Sequence, residues 1–216
     1  MIGSPEMNYR IISNIIMTYI SLGSNCSVTY QMIKLNLRNE AYPFDWCAIS
    51  LYQLINVLEN KFSNYYDSLK IIKKSDKHLD INGNPTFILT NNYHIRYAHE
   101  IKTEYELEEF KNKIKRRIDR LLNISNKIIF IRIELNPINK VYINKLINIL
   151  DKTFNNYELR LILCNSDFTY DSKKIKIYNY KNYSHNWILN NSWKIDHLNW
   201  KVIFNNESDY SYNTKK

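Results

Sequence analysis

The segment 21–26 (SLGSNC) contains the residues whose types and spacing are best suited to chemistry. Gly23 lies between an apolar strand-like run and a helix-like run, and glycine permits backbone conformations that other residues resist. The turn places Cys26 at the start of the predicted helix, where free backbone N–H groups lower a thiol pKa and favour a nucleophilic thiolate. The same N–H groups, with Ser24 or Asn25, are suited to hold an oxyanion. The alternative interpretation is a structural cysteine buried at a helix start.

A nucleophilic cysteine needs a base, and His99 is the candidate. It lies at the end of a predicted strand, on the apolar face, and the alternative is a core histidine with structural hydrogen bonds. His94 lies five residues earlier and therefore on the opposite face, which argues against a metal shared by the two. We interpret His197 as a surface residue that opens the last helix. His78 lies in a lysine-rich loop and is not favoured.

Three acidic positions are candidates for a group that orients the histidine. Asp45 lies in a rigid aromatic loop, 43–46 (PFDW), where its partner is either an imidazole or the loop backbone. Asp167 and Asn165 follow the predicted strand that ends at Cys164, and Glu134 is a weaker candidate. The neighbour of Asp45, Trp46, is expected to contact substrate.

Composition excludes several classes of protein. The chain has 216 residues, a formal charge of +9, three glycines and three cysteines. Dinucleotide-binding fingerprints and P-loops need several closely spaced glycines, so neither is present. The odd number of cysteines argues against a disulfide framework, and no cysteine or histidine pair has zinc-ligand spacing. We therefore expect no cofactor and no metal, and a reducing, cytoplasmic location (the host cytoplasm if the chain is viral).

Hydrophobic periodicity predicts strands that alternate with helices. This order predicts an α/β fold with three layers, a mainly parallel sheet with helices on both faces, and an inserted β-hairpin. The predicted elements are strands at 17–22, 127–133, 159–164 and 174–178, a hairpin of 86–90 with 93–99, and helices at 26–37, 51–60, 104–122, 139–152 and from Asp196 onwards. The stretch 61–80 is predicted to be irregular. Because ligands bind at the carboxyl ends of parallel strands, the 22–26 turn should meet the ends of the strands at 127–133 and 159–164.

The predicted organisation is one α/β domain over 17–204. Residues 1–16 form an N-terminal extension, part of which resembles a leader added in cloning, and 205–216 form a polar C-terminal tail. The apolar run 11–20 is too short to span a bilayer, so we expect no membrane span.

Basic residues are concentrated in the predicted helix between Lys111 and Arg120, and acidic residues precede them. Acid at the start and base at the end of a helix suit its dipole, which favours a solvated helix face. The alternative is a patch that binds nucleic acid or another anionic partner.

Several blocks together resemble the signature of a domain of unknown function described as a putative papain-like cysteine peptidase, found in bacteria and large DNA viruses. The resemblance spans 19–204. The blocks are 21–26 (SLGSNC), Tyr30-Gln31, Leu35-x-Leu37-Arg38, 43–46 (PFDW), Tyr93-x-Ile95-x-x-x-His99-Glu100, Phe110-x-x-Lys113-x-x-Arg116-Arg117-Ile118-x-Arg120, Ile129–Arg132 and Trp193-x-x-Asp196-x-x-Trp200.

The resemblance implies a catalytic pair formed by Cys26 and His99. At the position after the histidine the family usually has aspartate, whereas this chain has Glu100. The implied activity is that of a cysteine peptidase or related thiol acyl hydrolase or transferase with a peptide or acyl substrate. The alternative is a non-enzymatic module that binds phosphate-containing ligands or nucleic acid through the basic helix and the helix N-terminus at Cys26.

Overall fold

A computed structural model of the chain describes residues 17–79, 84–181 and 192–205. The predicted extension 1–16 lies outside the described residues, as does the predicted tail after Asn205, and so does His185. Within the described ranges, no helix combines the length and the apolarity that crossing a bilayer requires.

The centre of the fold is a four-stranded, fully parallel sheet. Its strands, in spatial order, are β1 (Met17–Ser21), β6 (Lys127–Glu134), β7 (Tyr157–Cys164) and β8 (Ile175–Tyr180). The two central strands are almost entirely buried, as expected for parallel strands covered on both faces. The predicted parallel α/β sheet is therefore confirmed.

Helices cover both faces of this sheet. On one face, Ile129 and Ile131 of β6 pack with Val28 of α1 (Ser27–Lys34) and Ile203 of α5 (Trp200–Asn205). On the other face, Phe130 belongs to a cluster that includes apolar residues of the remaining helices. Those helices are α2 (Leu51–Glu59), α3 (Leu107–Leu122) and α4 (Lys140–Thr153). Alternate residues of one strand thus face two separate cores, which gives the predicted three layers.

In place of a single inserted hairpin, the described residues form a second sheet of four antiparallel strands. Its strands, in spatial order, are β2 (Cys47–Ala48), β5 (Arg96–Tyr97), β4 (Pro85–Thr90) and β3 (Lys70–Leu79). The prediction that 61–80 is irregular is wrong for β3. This strand lies at the edge of the sheet, where exposed lysines obscure the alternation that identifies a strand.

The second sheet positions the loop that connects α1 to β2. The hydroxyl of Tyr97 donates to the carbonyl oxygen of Pro43 at 2.8 Å, and the hydroxyls of Tyr65 and Tyr97 lie 2.6 Å apart. Both tyrosines are fully buried. The loop 43–46 is therefore held against β5, the strand that precedes His99.

Candidate active site

The turn that precedes α1 has an uncommon backbone conformation. Gly23 has a φ of 73° and Ser24 a φ of 81°, both in the left-handed region. A Cβ at position 23 would collide with the side chain of Ile49, so glycine is required for space as well as for conformation. Arg132 donates to the carbonyl oxygen of Leu22 at 2.7 Å, which fixes the residue before the turn.

Cys26 directly precedes α1 and carries a free thiol in a partly exposed residue. Burial of the sulfur raises its pKa to about 12, and the negative charge of Glu100 adds to that shift. The sequence-based expectation of a lowered pKa is therefore wrong, because the thiol is withdrawn from water and faces a carboxylate. The thiol is neutral at pH 7 in this arrangement.

Asn25, which directly precedes Cys26 in the chain, carries a hydrogen-bond donor. Its Oδ1 accepts from the backbone N–H of Ser27 at 2.9 Å, and this bond fixes the orientation of the amide. Its Nδ2 is buried and has no hydrogen-bond partner among the described residues. A buried donor without a partner is costly to a fold, so it needs an explanation.

His99 lies just beyond β5 and is partly buried. Its ring lies edge-on to Trp46, with centroids 6.4 Å apart, and 5.6 Å from the ring of His78. His78 also exchanges a hydrogen bond of 2.8 Å with the hydroxyl of Ser75. Sequence reasoning did not favour His78, because the loop assignment hid the strand that brings it to His99.

Glu100, which follows His99, forms an ion pair with Arg117 of α3 at 3.0 Å. Both side chains are largely buried, and the carboxylate is close enough to Cys26 to shift its pKa. The residue at the family's acid position therefore influences the thiol, and Arg117 partly offsets its charge.

Asp45 is fully buried within its own loop. Its carboxylate accepts from Arg38 Nε at 2.9 Å, from the backbone N–H of Tyr42 at 3.0 Å and from the hydroxyl of Thr29 at 3.2 Å. These partners match the interpretation in which Asp45 fastens the loop. The next residue, Trp46, has a φ of 57° and directs its ring to His99.

The remaining candidates, Asp167, Glu134 and Asn165, lie at or just after the ends of β6 and β7. Asp167 is exposed and pairs with Lys181 at 2.9 Å, and Glu134 pairs with the buried Arg132 at 2.5 Å. Asn165 follows β7 with a φ of 54°. The turn after β1 lies against β6 as expected, since Leu22 N–H donates to the carbonyl oxygen of Ile131 at 2.9 Å. Its expected meeting with the end of β7 stays a prediction.

Three partly exposed aromatic side chains, Tyr30, Trp46 and Trp193, contact one another and form an aromatic wall. The ring of Trp193 lies 6.3 Å from Trp46 and 5.3 Å from Tyr30, centroid to centroid. Tyr30 is one turn after Cys26, and its N–H donates to the Cys26 carbonyl oxygen at 3.0 Å. Gln31 anchors the Trp193 segment by donating to the carbonyl oxygen of Lys194 at 2.8 Å. The sequence did not predict that Trp193 contacts Tyr30 and Trp46, because these residues are far apart in the chain.

Four of the six basic residues between Lys111 and Arg120 have carboxylate partners, whereas Lys115 and Arg116 are exposed and form no ion pair within the described residues. The pairs are Lys111–Glu108, Lys113–Glu109, Arg117–Glu100 and Arg120–Glu40. The pairs of Lys111, Lys113 and Arg120 agree with the solvated helix face, whereas the pair Arg117–Glu100 is largely buried. No contact of the described residues favours the nucleic-acid alternative. Within the described ranges, no three His, Cys, Asp or Glu side chains are grouped so that they could hold a metal ion.

Comparison with known proteins gives two findings. Residues 17–167 match the model of a family described as "Putative papain-like cysteine peptidase (DUF1796)". The chain is also 29% identical, over 217 aligned residues, to an uncharacterized protein (R408) of Acanthamoeba polyphaga mimivirus, with 88% of this chain and 97% of that protein covered. The match includes Cys26, Asp45 and His99, whereas Trp193 lies beyond the part that the family model covers.

Proposed function

Since this chain belongs to the family of putative papain-like cysteine peptidases, we propose that it hydrolyses peptide or other acyl substrates with Cys26 as nucleophile and His99 as general base. The observation that carries the proposal is the buried Nδ2 of Asn25, the residue that directly precedes Cys26, which has no hydrogen-bond partner among the described residues. Such a donor is satisfied when an oxyanion forms at the carbon that Cys26 attacks.

The chemistry begins from a neutral thiol, because burial and Glu100 hold the Cys26 pKa high. His99 removes the proton as the sulfur attacks the acyl carbon, and a C–S bond forms while the carbonyl electrons move to oxygen. Asn25 Nδ2 donates to that oxyanion. When the intermediate collapses, the bond to the leaving group breaks and His99 returns the proton to the leaving group. Water then attacks the thioester carbon while His99 takes its proton. When this second intermediate collapses, the C–S bond breaks, the acid product leaves and His99 returns the proton to the sulfur, which restores the thiol.

His99 needs a fixed ring orientation for this role. The contacts with Trp46 and His78 support such an orientation. Asp45 contributes indirectly, because its three hydrogen bonds hold the loop that carries Trp46. Asp167 is left out of the proposed mechanism, since its carboxylate is exposed and paired with Lys181.

The free thiols of Cys26, Cys47 and Cys164 support action in a reducing compartment. For this chain we infer the cytoplasm, or the host cytoplasm if the chain is viral.

The proposal is tested by acyl transfer to Cys26. The protein is incubated with p-nitrophenyl acetate and with a pool of fluorogenic peptides, and the acyl-enzyme is located by mass spectrometry. Cys26→Ser and His99→Ala should abolish turnover, and Asn25→Ala should lower kcat by about a hundredfold or more. Cys164→Ser and His197→Ala are the matched controls and should retain activity. Turnover that survives Cys26→Ser, or acylation elsewhere, would overturn the proposal.

A further inference from the structure

A recess lies beside the turn that precedes Cys26. It is an open cleft of about 580 Å³, within the size range of ligand pockets. Ser24 lines it, while Asn25 and Cys26 follow in the next two positions. Glu134 and Asn136 place it at the carboxyl end of β6, the location at which parallel sheets bind ligands.

The charge of the cleft is dominated by Arg96. This residue of β5 is exposed, and it has no ion-pair partner in the part of the chain that the structure describes. The only acidic side chain in the lining, Glu134, pairs with the fully buried Arg132. The positive charge of Arg96 is therefore available to a ligand, whereas the negative charge of Glu134 is already offset.

The walls of the cleft are fixed before any ligand binds. Ser50 and Gln53 form a reciprocal capping box at the start of α2. Gln53 also donates to the carbonyl oxygen of His94 at 3.4 Å, which joins the helix to the turn before β5. On the floor, Arg132 donates to the carbonyl oxygen of Ile49 at 3.0 Å. A preorganised wall costs little to order on binding.

We propose that this cleft is the subsite for a carboxylate on the substrate, bound by Arg96, at a position a few residues from the bond that Cys26 attacks. This subsite rests on the proposed function, because only a peptide substrate attacked by Cys26 would have further residues that extend past the 22–26 turn into the cleft. The chemistry that Arg96 recognises is a carboxylate, which is either an acidic side chain or a free C-terminus. The buried Ile49 and Leu51 provide an apolar floor for the carbon chain beneath it.

The test measures binding without turnover. Full-length Cys26→Ala protein is titrated with N-acetylated alanine hexapeptide amides that carry one glutamate at each position in turn, and with their glutamine counterparts. NMR chemical shifts give each Kd. An all-alanine hexapeptide with a free C-terminus, compared with its amide, distinguishes the two sources of the carboxylate. We expect one charged peptide to bind about tenfold more tightly than its neutral counterpart, as a charge-assisted hydrogen bond would give.

Three variants test whether the tighter binding of the charged peptide depends on Arg96. Arg96→Gln should abolish it and Arg96→Lys should retain part of it. Arg116→Gln removes the same charge from the exposed face of α3 and should leave it intact. Equal binding of charged and neutral peptides, absence of binding by all of them, or a preference that survives Arg96→Gln would overturn the proposal. Because Cys26 is absent from the assay, these outcomes are independent of whether the thiol is catalytic.

Discussion

Arg132 connects several residues of the candidate site. Its guanidinium is fully buried and donates to the carbonyl oxygens of Leu22 and Ile49 while it pairs with Glu134. The first carbonyl precedes the turn before Cys26, and the second precedes α2. A single side chain therefore sets the distance between the turn and the floor of the cleft.

Replacement of Arg132 by methionine should affect both stability and chemistry. The change leaves Glu134 partly buried and two carbonyl groups without their donor, so we expect a loss of about 3 kcal/mol in the free energy of unfolding. Arg160 is the matched control, since it is also buried, pairs with Glu158 and donates to carbonyl groups near the end of α5. Arg160→Met should cost a similar amount in urea unfolding but leave the iodoacetamide reactivity of Cys26 unchanged. If the two variants alter Cys26 equally, Arg132 has no specific positioning role.

Glu100 gives the thiol a testable pH dependence. Its negative charge raises the pKa of Cys26, so Glu100→Gln should lower that pKa and increase the thiolate fraction at any pH below it. The variant also releases Arg117 from its ion pair, which acts in the same direction. At pH 8 the alkylation rate of Cys26 should rise several-fold, since a drop of one pKa unit gives about tenfold more thiolate.

Glu108→Gln is the control for this measurement, because Glu108 is exposed and pairs only locally with Lys111. Alkylation of the wild-type thiol should increase steadily from pH 7 to 10 without a plateau. An unchanged or slower rate in Glu100→Gln would show that Glu100 does not face the thiol.

At the scale of elements, the sequence predicts well where one local pattern decides the structure. The amphipathic stripe of α3 and the apolar runs of β6 and β7 are found within a few residues of their predicted bounds. Strand β3 was missed because its surroundings, an exposed edge, allow lysines that a central strand would exclude. Strand β5 is shorter than expected because only Arg96 and Tyr97 pair with neighbours.

The loop 43–46 depends on a tyrosine pair of the second sheet as well as on its own Asp45. Tyr97→Phe removes the donor to the Pro43 carbonyl oxygen and deprives the Tyr65 hydroxyl of its closest partner. We expect a loss of about 1–3 kcal/mol in the free energy of unfolding, because buried polar groups are left unpaired. Tyr105→Phe, at an almost fully exposed position, should cost nothing measurable.

Replacement of both Tyr65 and Tyr97 by phenylalanine tests whether the two hydroxyls stabilise the fold together. The measured quantity is the free energy of unfolding in urea. Because the hydroxyls bond each other, the double variant should lose less than the sum of the single losses. Additive losses would mean that the two hydroxyls act separately.

At the scale of the whole molecule, the turn chemistry of 21–26 made Cys26 and Asn25 candidates, and strand position made His99 one; their roles stay predictions. Local sequence patterns did not predict the contacts of His78, Arg117 and Trp193 with His99, Glu100 and Trp46. Each of these contacts joins distant parts of the chain. The sense of the Cys26 pKa shift depends on burial, which no local motif encodes.

The two cores on either side of the parallel sheet should unfold together. Met32 lies in one core and Leu146 in the other, and β6 contributes side chains to both. Met32→Ala and Leu146→Ala should each cost about 2–5 kcal/mol. In either variant, thermal unfolding followed by tryptophan fluorescence and by far-UV circular dichroism should give one coincident transition. Two separated transitions would show that 17–204 is not one cooperative domain.

The lysines on β3 have a consequence for how copies of this chain meet. Lys70, Lys73, Lys74 and Lys77 are exposed along the outermost strand of the second sheet as described, whose outer backbone groups are available for pairing. If two copies aligned these strands, their ammonium groups would be brought together across a spacing of about 4.8 Å, which Coulomb repulsion opposes. The same lysines that obscured the strand pattern in the sequence therefore oppose edge-to-edge aggregation of the protein at high concentration.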